Sequence, residues 1–390
     1  MTTAPVDGQP ALAPSTWRAF LLYFLRLGTF GFGGPIALAG YMQRDLVERR
    51  RWIAKRDYVQ GLALAQLAPG PLAAQLAMYL GWVKAGVRGA TLVSAAFILP
   101  SFLMVWALSA AYVRFDGLPW MQSAFYGIGA AVITIIGRSA VKLVKLTLGR
   151  DRLLWAVFAV SAVATAWTES EIVWLFLGSG LAVLLVRASP RAAPPALSAL
   201  FVPGALGTGL IDAAPSWPLL GREALYFAEA GAFVFGSGLA IVPFLHGGVV
   251  NQFHWLNERQ FLDAVAVAMI TPGPVVITVA FVGYLVAGSL GAIAAAVGVF
   301  LPCYLFVIIP APYFRRFADN ARVKAFVDGV TAAATGAIAG AAFVLGRRAL
   351  IDVPTVVIAA AAWVVFSRFK KLPEPLVIVA AGAVGLAVRH

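Results

Sequence analysis

Long apolar stretches separated by short polar segments make up most of the chain from residue 17 onward. A helix that crosses a bilayer needs about 20 predominantly apolar residues. On this basis the first half is predicted to span the membrane at residues 18–43, 88–113, 118–146, 152–168 and 171–187. The second half is predicted to span it at residues 222–248, 289–312, 324–346, 353–367 and 373–389. The pattern therefore predicts an all-α polytopic membrane protein, and it leaves open whether the long first stretch of each half is broken.

Two further pairs of apolar segments are too short to cross a membrane. A helix of about 12 residues covers roughly 18 Å, whereas the hydrocarbon core is about 30 Å thick. The first pair, 58–69 and 72–83, is divided by Pro69-Gly70-Pro71, and the second pair, 261–271 and 275–287, by Pro272-Gly273-Pro274. Proline interrupts a helix and glycine permits unusual φ angles, so each pair predicts a re-entrant or broken helical hairpin.

The two halves of the chain are internal repeats. Gly28 corresponds to Gly231, Trp52 to Trp255 and Gly70 to Gly273, each 203 residues later. Further on, Leu99-Pro100 matches Leu301-Pro302, with a register that slips by a residue. We therefore predict a first repeat at 17–187, a Pro- and Ala-rich linker at 188–220 and a second repeat at 221–389.

The basic residues predict that the repeats have opposite orientations in the membrane. The loop at 44–57 holds six basic residues, whereas its counterpart at 251–260 holds only Arg259. Basic loops face the cytoplasm, so the first loop is predicted inside and the second outside, as in inverted-topology repeats. Arg347 and Arg348 fall outside in this scheme and count against it.

The composition restricts the class of protein and its partners. Hydrophobic residues make up 61% of the chain and charged residues only 12%, against about 25% charged residues in soluble domains. The net charge of +13 follows from the basic loops, so we predict a lipid bilayer and no nucleic acid as partner. A single cysteine, Cys303, excludes an internal disulfide. No cluster with metal-ligand spacing is evident, so neither a metal nor a cofactor is predicted.

Glycine-rich breaks lie in the first apolar stretch of each repeat and predict a site for an anion. The first break contains Gly31, Gly33 and Gly34, and the second contains Gly236, Ser237 and Gly238. A half-helix that starts at such a break, or after a Pro-Gly-Pro tip, presents free N–H groups and the positive end of its dipole. Pro35 and Pro71 fit the first turn of such half-helices. The alternative is that these glycines permit close helix packing and the prolines produce kinks.

Polar residues beside the breaks are the candidate ligands. Gln66 and Gln75 flank the first Pro-Gly-Pro, while Thr271 and Thr278 flank the second. Each can donate a hydrogen bond to an oxyanion, or can instead make ordinary interhelical hydrogen bonds. Arg26 and Glu229 occupy equivalent positions and place charge inside the membrane. One prediction is that Arg26 attracts the anion while Glu229 balances it or takes a proton. The alternative is that the two form a structural ion pair.

These motifs resemble those of the chromate ion transporter family over about residues 17–389. FLRLGTFGFGGPIA and QLAPGPLAAQLAMYLG are similar to its N-terminal signature, and FVFGSGLAIVPFL and AMITPGPVVITVAFVGYL are similar to a second copy. The family's motifs carry over onto Pro69, Gly70 and Pro71, onto Pro272, Gly273 and Pro274, and onto Gly31, Gly33 and Gly34. In the second repeat Ser237 replaces the glycine at Gly34, and no proline follows at once. The resemblance implies efflux of chromate from the bacterial cytoplasm across the inner membrane, with sulfate as an analogue.

Three classes of function follow from this reading. The first is a secondary transporter that exports chromate or a related oxyanion, driven by the membrane potential or a coupled ion. The second is an oxyanion channel or an uptake carrier. The third is an intramembrane enzyme, but the sequence contains neither a nucleophile–base pair nor an HExxH motif that would support it. We expect a transport protein rather than an enzyme, and the sequence allows a homodimer.

Overall fold

A computed structural model describes residues 12–32, 34–115, 119–168, 173–187, 217–233, 241–314, 320–369, 372 and 374–388. Helices account for almost all of the described chain, and no strand occurs within these ranges. The predicted all-α fold is therefore confirmed. Most of the predicted linker at 188–220 lies outside the described residues, but positions 217–220 already belong to a helix.

The first half follows the predicted order of segments. Thr16 caps its first helix by accepting a hydrogen bond from the backbone N–H of Ala19, at 3.2 Å. The helices are α1 (Trp17–Phe30), α2 (Gly34–Met42), which continues as a π-helical segment (Gln43–Arg49), α3 (Lys55–Leu67), α4 (Leu72–Phe115), α5 (Pro119–Thr147), α6 (Arg152–Thr168) and α7 (Val173–Arg187).

The second half repeats this order. Asn257 forms a capping box with Gln260, which fixes the start of the helix that corresponds to α3. The helices are α8 (Trp217–Phe233), α9 (Ile241–Leu245), which continues as a π-helical segment (His246–Gln252), α10 (Glu258–Ile270), α11 (Thr278–Ile308), α12 (Ala321–Ala349), α13 (Val353–Arg368) and α14 (Glu374–Val388).

Within the described residues, four helices are long and apolar enough to cross a membrane, and others are shorter but apolar. The long ones lie at Leu72–Phe115, Gln122–Lys145, Val275–Ile308 and Ala321–Ala349. The shorter ones lie at Arg152–Thr168, Trp174–Arg187, Val353–Arg368 and Glu374–Val388. The chain is thus a multi-pass membrane protein, whereas five complete spans per half stay a prediction.

Helices α4 and α11 are each two helices joined by a sharp turn. The turn in α4 lies at Ala85 and Gly86, where Gly86 has φ 57°, and the turn in α11 lies at Ala287 and Gly288, where Gly288 has φ 62°. We call the short pieces before these turns half-helix A (72–84) and half-helix B (278–286). The longer pieces after them begin close to the predicted spans at 88 and 289.

The long pieces of α4 and α11 correspond to each other, lie side by side and run in opposite directions. The hydroxyl groups of Thr91 and Tyr304 are 2.6 Å apart, and near the other end the indole N–H of Trp106 donates to Ser289 at 3.0 Å. Equivalent helices that run antiparallel are what inverted repeats require. The orientation of the repeats relative to a membrane stays a prediction.

The remaining helices pack mainly on helices of the opposite half. Helix α5 of the first half packs on α13 and α14 of the second, and α12 packs on α6 and α7. Glycines permit the close approach at equivalent points, with Gly127 against the backbone of Ala381 and Gly329 against that of Ser179. Each half thus completes the helix bundle of the other.

Charged side chains gather at two places near the ends of helices. Arg187 bonds to Asp151 at 2.5 Å and to Asp328 at 2.6 Å, and its hydrogen bond holds the pKa of Asp151 below the ordinary value. In the second half, Glu258 pairs with Arg348 and lies 2.9 Å from His246. The pairing with Glu258 compensates the charge of Arg348, one of the two arginines that the predicted orientation places outside.

Candidate functional site

The first hairpin consists of α3, a tip at 68–71 and half-helix A. Helix α3 ends at Leu67, and Gly70 at the tip has φ 137°, a value that favours glycine. Both ends of this hairpin lie near the start of α1, since Ala13 donates to the carbonyl of Arg51 at 3.0 Å and Lys84 bonds to Ser15. The chain therefore enters and returns on one side of the bundle.

The start of half-helix A leaves three buried N–H groups available for a ligand. The first intrahelical bond runs from the N–H of Gln75 to the carbonyl of Pro71 at 3.0 Å. The preceding N–H groups of Leu72, Ala73 and Ala74 have no acceptor within the helix, and these residues are 7%, 2% and 1% exposed. This helix end is suited to an anion.

The side chain of Gln75 braces the first tip. Its Nε2 donates to the carbonyl of Pro69, while its Oε1 is buried without a hydrogen-bond partner among the described residues. Thr278, its counterpart, donates to the carbonyl of Val275 at 2.7 Å, and Thr271 donates to that of Ala268 at 3.1 Å. The donors of these candidate ligands are thus directed to the backbone in this conformation. The remaining candidate, Gln66, lies on an exposed face of α3.

The second tip, at 271–274, contacts the first half of the chain. Gly273 has φ 100°, and its N–H donates to the carbonyl of Gly31 at 3.0 Å. A Cβ on Gly273 would overlap with the hydroxyl of Ser101, which itself donates to the carbonyl of Gly28 at 3.2 Å. The tip of the second repeat therefore lies against the broken first helix of the first repeat.

The first tip makes the equivalent contact with the second half. A Cβ on Gly70 would lie 3.2 Å from the sulfur of Cys303, which is buried and 3.5 Å from the carbonyl of Gly231. Cys303 and Ser101 occupy equivalent positions, each directly after the matched prolines Pro302 and Pro100. Ser101 was not among the candidates from the sequence, although the offset of the matched prolines identifies it.

The glycine break of the first repeat separates α1 from α2. Gly31 closes α1 by donating to the carbonyl of Leu27 at 2.8 Å, and Gly34 begins α2. Pro35 lies in the first turn of α2, as expected. Pro71, however, directly precedes half-helix A rather than lying in its first turn, because its carbonyl accepts the first helical bond. Gly33, Gly236, Ser237 and Gly238 lie outside the described residues.

Arg26 and Glu229 are exposed on the surfaces of α1 and α8. Neither forms a salt bridge within the described chain, and their role stays a prediction. They lie on the same helix faces as the exposed Leu22, Leu25 and Leu225. Both side chains therefore point away from the core of the bundle.

Comparison with known proteins gives consistent matches over almost the whole length. A family model described as chromate transporter matches residues 18–184 and again residues 223–386. The chain is 58% identical to a chromate transport protein of Cupriavidus metallidurans, over 97% of this chain and 95% of that protein. It is 57% identical to a probable chromate transport protein of Synechococcus elongatus, over 93% of each. It is 33% identical to a chromate transport protein of Pseudomonas aeruginosa, over 99% of this chain and 95% of that protein. No solved structure matches.

Proposed function

This chain belongs to the chromate transporter family, and from that membership we propose that it is a secondary transporter that exports chromate across the bacterial inner membrane. The observation that carries the proposal is the buried start of half-helix A. Three N–H groups there have no helical acceptor, and the helix dipole adds partial positive charge. A tetrahedral dianion can exchange its hydration for such donors without a fixed cationic side chain that would slow its release.

Electrostatics supports export as the direction of transport. An inside-negative potential favours outward movement of an anion by about 2.3 kcal/mol per charge for each 100 mV. A dianion therefore gains roughly 4.6 kcal/mol per 100 mV when it leaves the cell. Export can run on the membrane potential, and the two exchanged bundles supply the elements that alternating access requires.

Uptake of chromate into everted membrane vesicles tests the proposal. Vesicles that contain the protein should accumulate chromate faster than vesicles from cells with an empty vector, and sulfate should compete. Equal uptake in the two preparations would contradict export. Currents at channel rates in planar bilayers would instead indicate an anion channel.

A matched pair of variants at Leu72 tests the site itself. Leu72→Pro removes the first free N–H, and proline is tolerated at the first helical position. Leu72→Ala truncates the side chain but keeps the N–H. Because a hydrogen bond to a charged group contributes about 1.5–3 kcal/mol, KM for chromate should be about 10- to 100-fold higher in Leu72→Pro than in Leu72→Ala. Equal KM values in the two variants would contradict binding at this helix end.

A further inference from the structure

Helix α8 contains a carboxyl group that the proposed anion site does not use. The side chain of Glu223 is completely buried, at 0% exposure, in the wall between α8 and α11. Neither of its oxygens has a hydrogen-bond partner among the described residues. An ionised carboxylate in such surroundings is very costly, whereas a neutral carboxyl group is much less so.

The carboxyl group lies against half-helix B, the piece of α11 that precedes the turn. A Cβ on Gly283 of half-helix B would come within 2.5 Å of Glu223 Oε1, so this glycine makes the space that the carboxyl group occupies. Gly283 also packs on the backbone of Gly291, on the other side of the turn. Opening of this glycine contact would expose the carboxyl group of Glu223 to water. Ionisation of Glu223 is thereby linked to movement of half-helix B.

The first repeat carries different residues at this place. The counterpart of Glu223 is the buried Phe20, and the ammonium group of Lys84 lies 5.9 Å from the centre of its ring. The counterpart of Lys84 in the second repeat is Val286, one residue before the turn at Ala287. A lysine there would be the natural ion-pair partner for Glu223. The second repeat instead has a carboxyl group at 223 and an apolar residue at 286.

The other titratable groups on the elements around α8 do not neutralise Glu223. Tyr226 donates to the carbonyl of Phe244, His246 pairs with Glu258, and Tyr304 bonds to Thr91. Arg222 is exposed. In the part of the chain that is described, the remaining such groups also form no bond to Glu223, namely Glu229 on α8 and Tyr284 and Cys303 on α11.

We propose that Glu223 is a proton-binding site that takes up and releases a proton during each transport cycle, as half-helix B closes on it and opens. On opening, the carboxyl O–H bond breaks, the proton passes to water and a solvated carboxylate remains. On closing, the carboxylate takes a proton from water before it is buried. This proposal rests on the proposed function, because it couples the export of the anion to proton movement.

Purified protein in liposomes, with the membrane potential clamped, provides the test. The rate of chromate transport by the unmodified protein should respond to an imposed pH gradient. Glu223→Gln mimics the protonated carboxyl in size and neutrality, so it should fold and should lose this response. Glu48→Gln removes an exposed carboxyl and should keep the response. Infrared spectroscopy at neutral pH should show the C=O band of a protonated carboxyl that is missing only in Glu223→Gln.

The outcomes separate the two proposals. The unmodified protein and Glu223→Gln could both transport chromate and respond equally to the pH gradient. That result would exclude proton binding by Glu223 and leave the proposed function standing. An unchanged infrared band in Glu223→Gln would exclude it as well. If the unmodified protein moves no chromate at all, the proposed function fails, and the coupling fails with it.

Discussion

At the scale of single residues, the two Pro-Gly-Pro tips depend on glycines that serve two purposes at once. Gly70 and Gly273 have φ values of 137° and 100°, which other residues rarely adopt. Each also lies against a residue of the opposite repeat, Cys303 or Ser101. A side chain at either glycine therefore strains the backbone of the tip and separates it from the other half.

Gly273→Ala should lower chromate transport at least about tenfold, because a positive φ costs a non-glycine residue roughly 1–2 kcal/mol and the new methyl group overlaps with the Ser101 hydroxyl. Addition of Ser101→Ala removes that oxygen but not the backbone strain, so it should restore part of the lost rate. The measurement is vesicle uptake normalised to the amount of protein in the membrane.

The control for this experiment is Gly178→Ala. It adds the same methyl group to a helical glycine that has nothing within 4 Å of the added carbon. Its uptake should equal that of the unmodified protein. A normal rate in Gly273→Ala would mean that the tip tolerates displacement and that its fit against the first repeat is unimportant.

The sequence identifies the residues at the tips but not the directions of their hydrogen bonds. Gln75, Thr271 and Thr278 lie at the tips as their spacing from Pro-Gly-Pro predicts, yet each donates to a nearby carbonyl. Side-chain direction depends on which acceptors the folded tip leaves unpaired. Glu223 was not singled out, because the sequence around a single carboxylate in an apolar stretch does not indicate whether a basic residue pairs with it in the fold.

At the scale of the helices, the apolar pattern located most elements and left their contacts undetermined. Short arms on either side of each Pro-Gly-Pro were predicted, and the structure contains α3, half-helix A, α10 and half-helix B at those places. The pairing of α5 with α14 was not predicted. It joins segments more than 200 residues apart in the sequence, and helical periodicity does not specify a partner.

Helix packing between the halves gives the next prediction. A Cβ on Gly127 of α5 would overlap with the carbonyl of Ala381 in α14, whereas a Cβ on Gly129 would have nothing within 4 Å. Overpacking of this kind typically costs about 1–3 kcal/mol. Gly127→Ala should therefore unfold at a lower temperature in detergent than the unmodified protein, and Gly129→Ala at the same temperature. Identical unfolding of the two variants would mean that α5 and α14 do not approach closely in the membrane.

At the scale of the whole molecule, packing between helices of opposite halves links the two repeats at both tips and along the bundle. The tip of each repeat lies on the other, and α5 and α12 each pack on helices of the opposite half. A shift of one tip therefore changes the surroundings of both. This arrangement suits transport in which the access to one buried site alternates between two sides.

The membrane orientation of the repeats is the prediction on which this mechanism depends. Arg49 and Gln252 are exposed, occupy equivalent positions 203 residues apart and are the last residues of equivalent π-helical segments. The native cysteine is first removed by Cys303→Ser, which places there the residue found at the equivalent Ser101. Single cysteines introduced at 49 and 252 should then react with a membrane-impermeant reagent from opposite sides. The Arg49 site should react only in everted vesicles, because its basic loop is retained in the cytoplasm, and the Gln252 site only in intact spheroplasts. Labelling of both from one side would make the repeats parallel. Two parallel hairpins would enter the membrane from the same face. Equivalent helices would then run in the same direction, which the antiparallel contact between α4 and α11 contradicts.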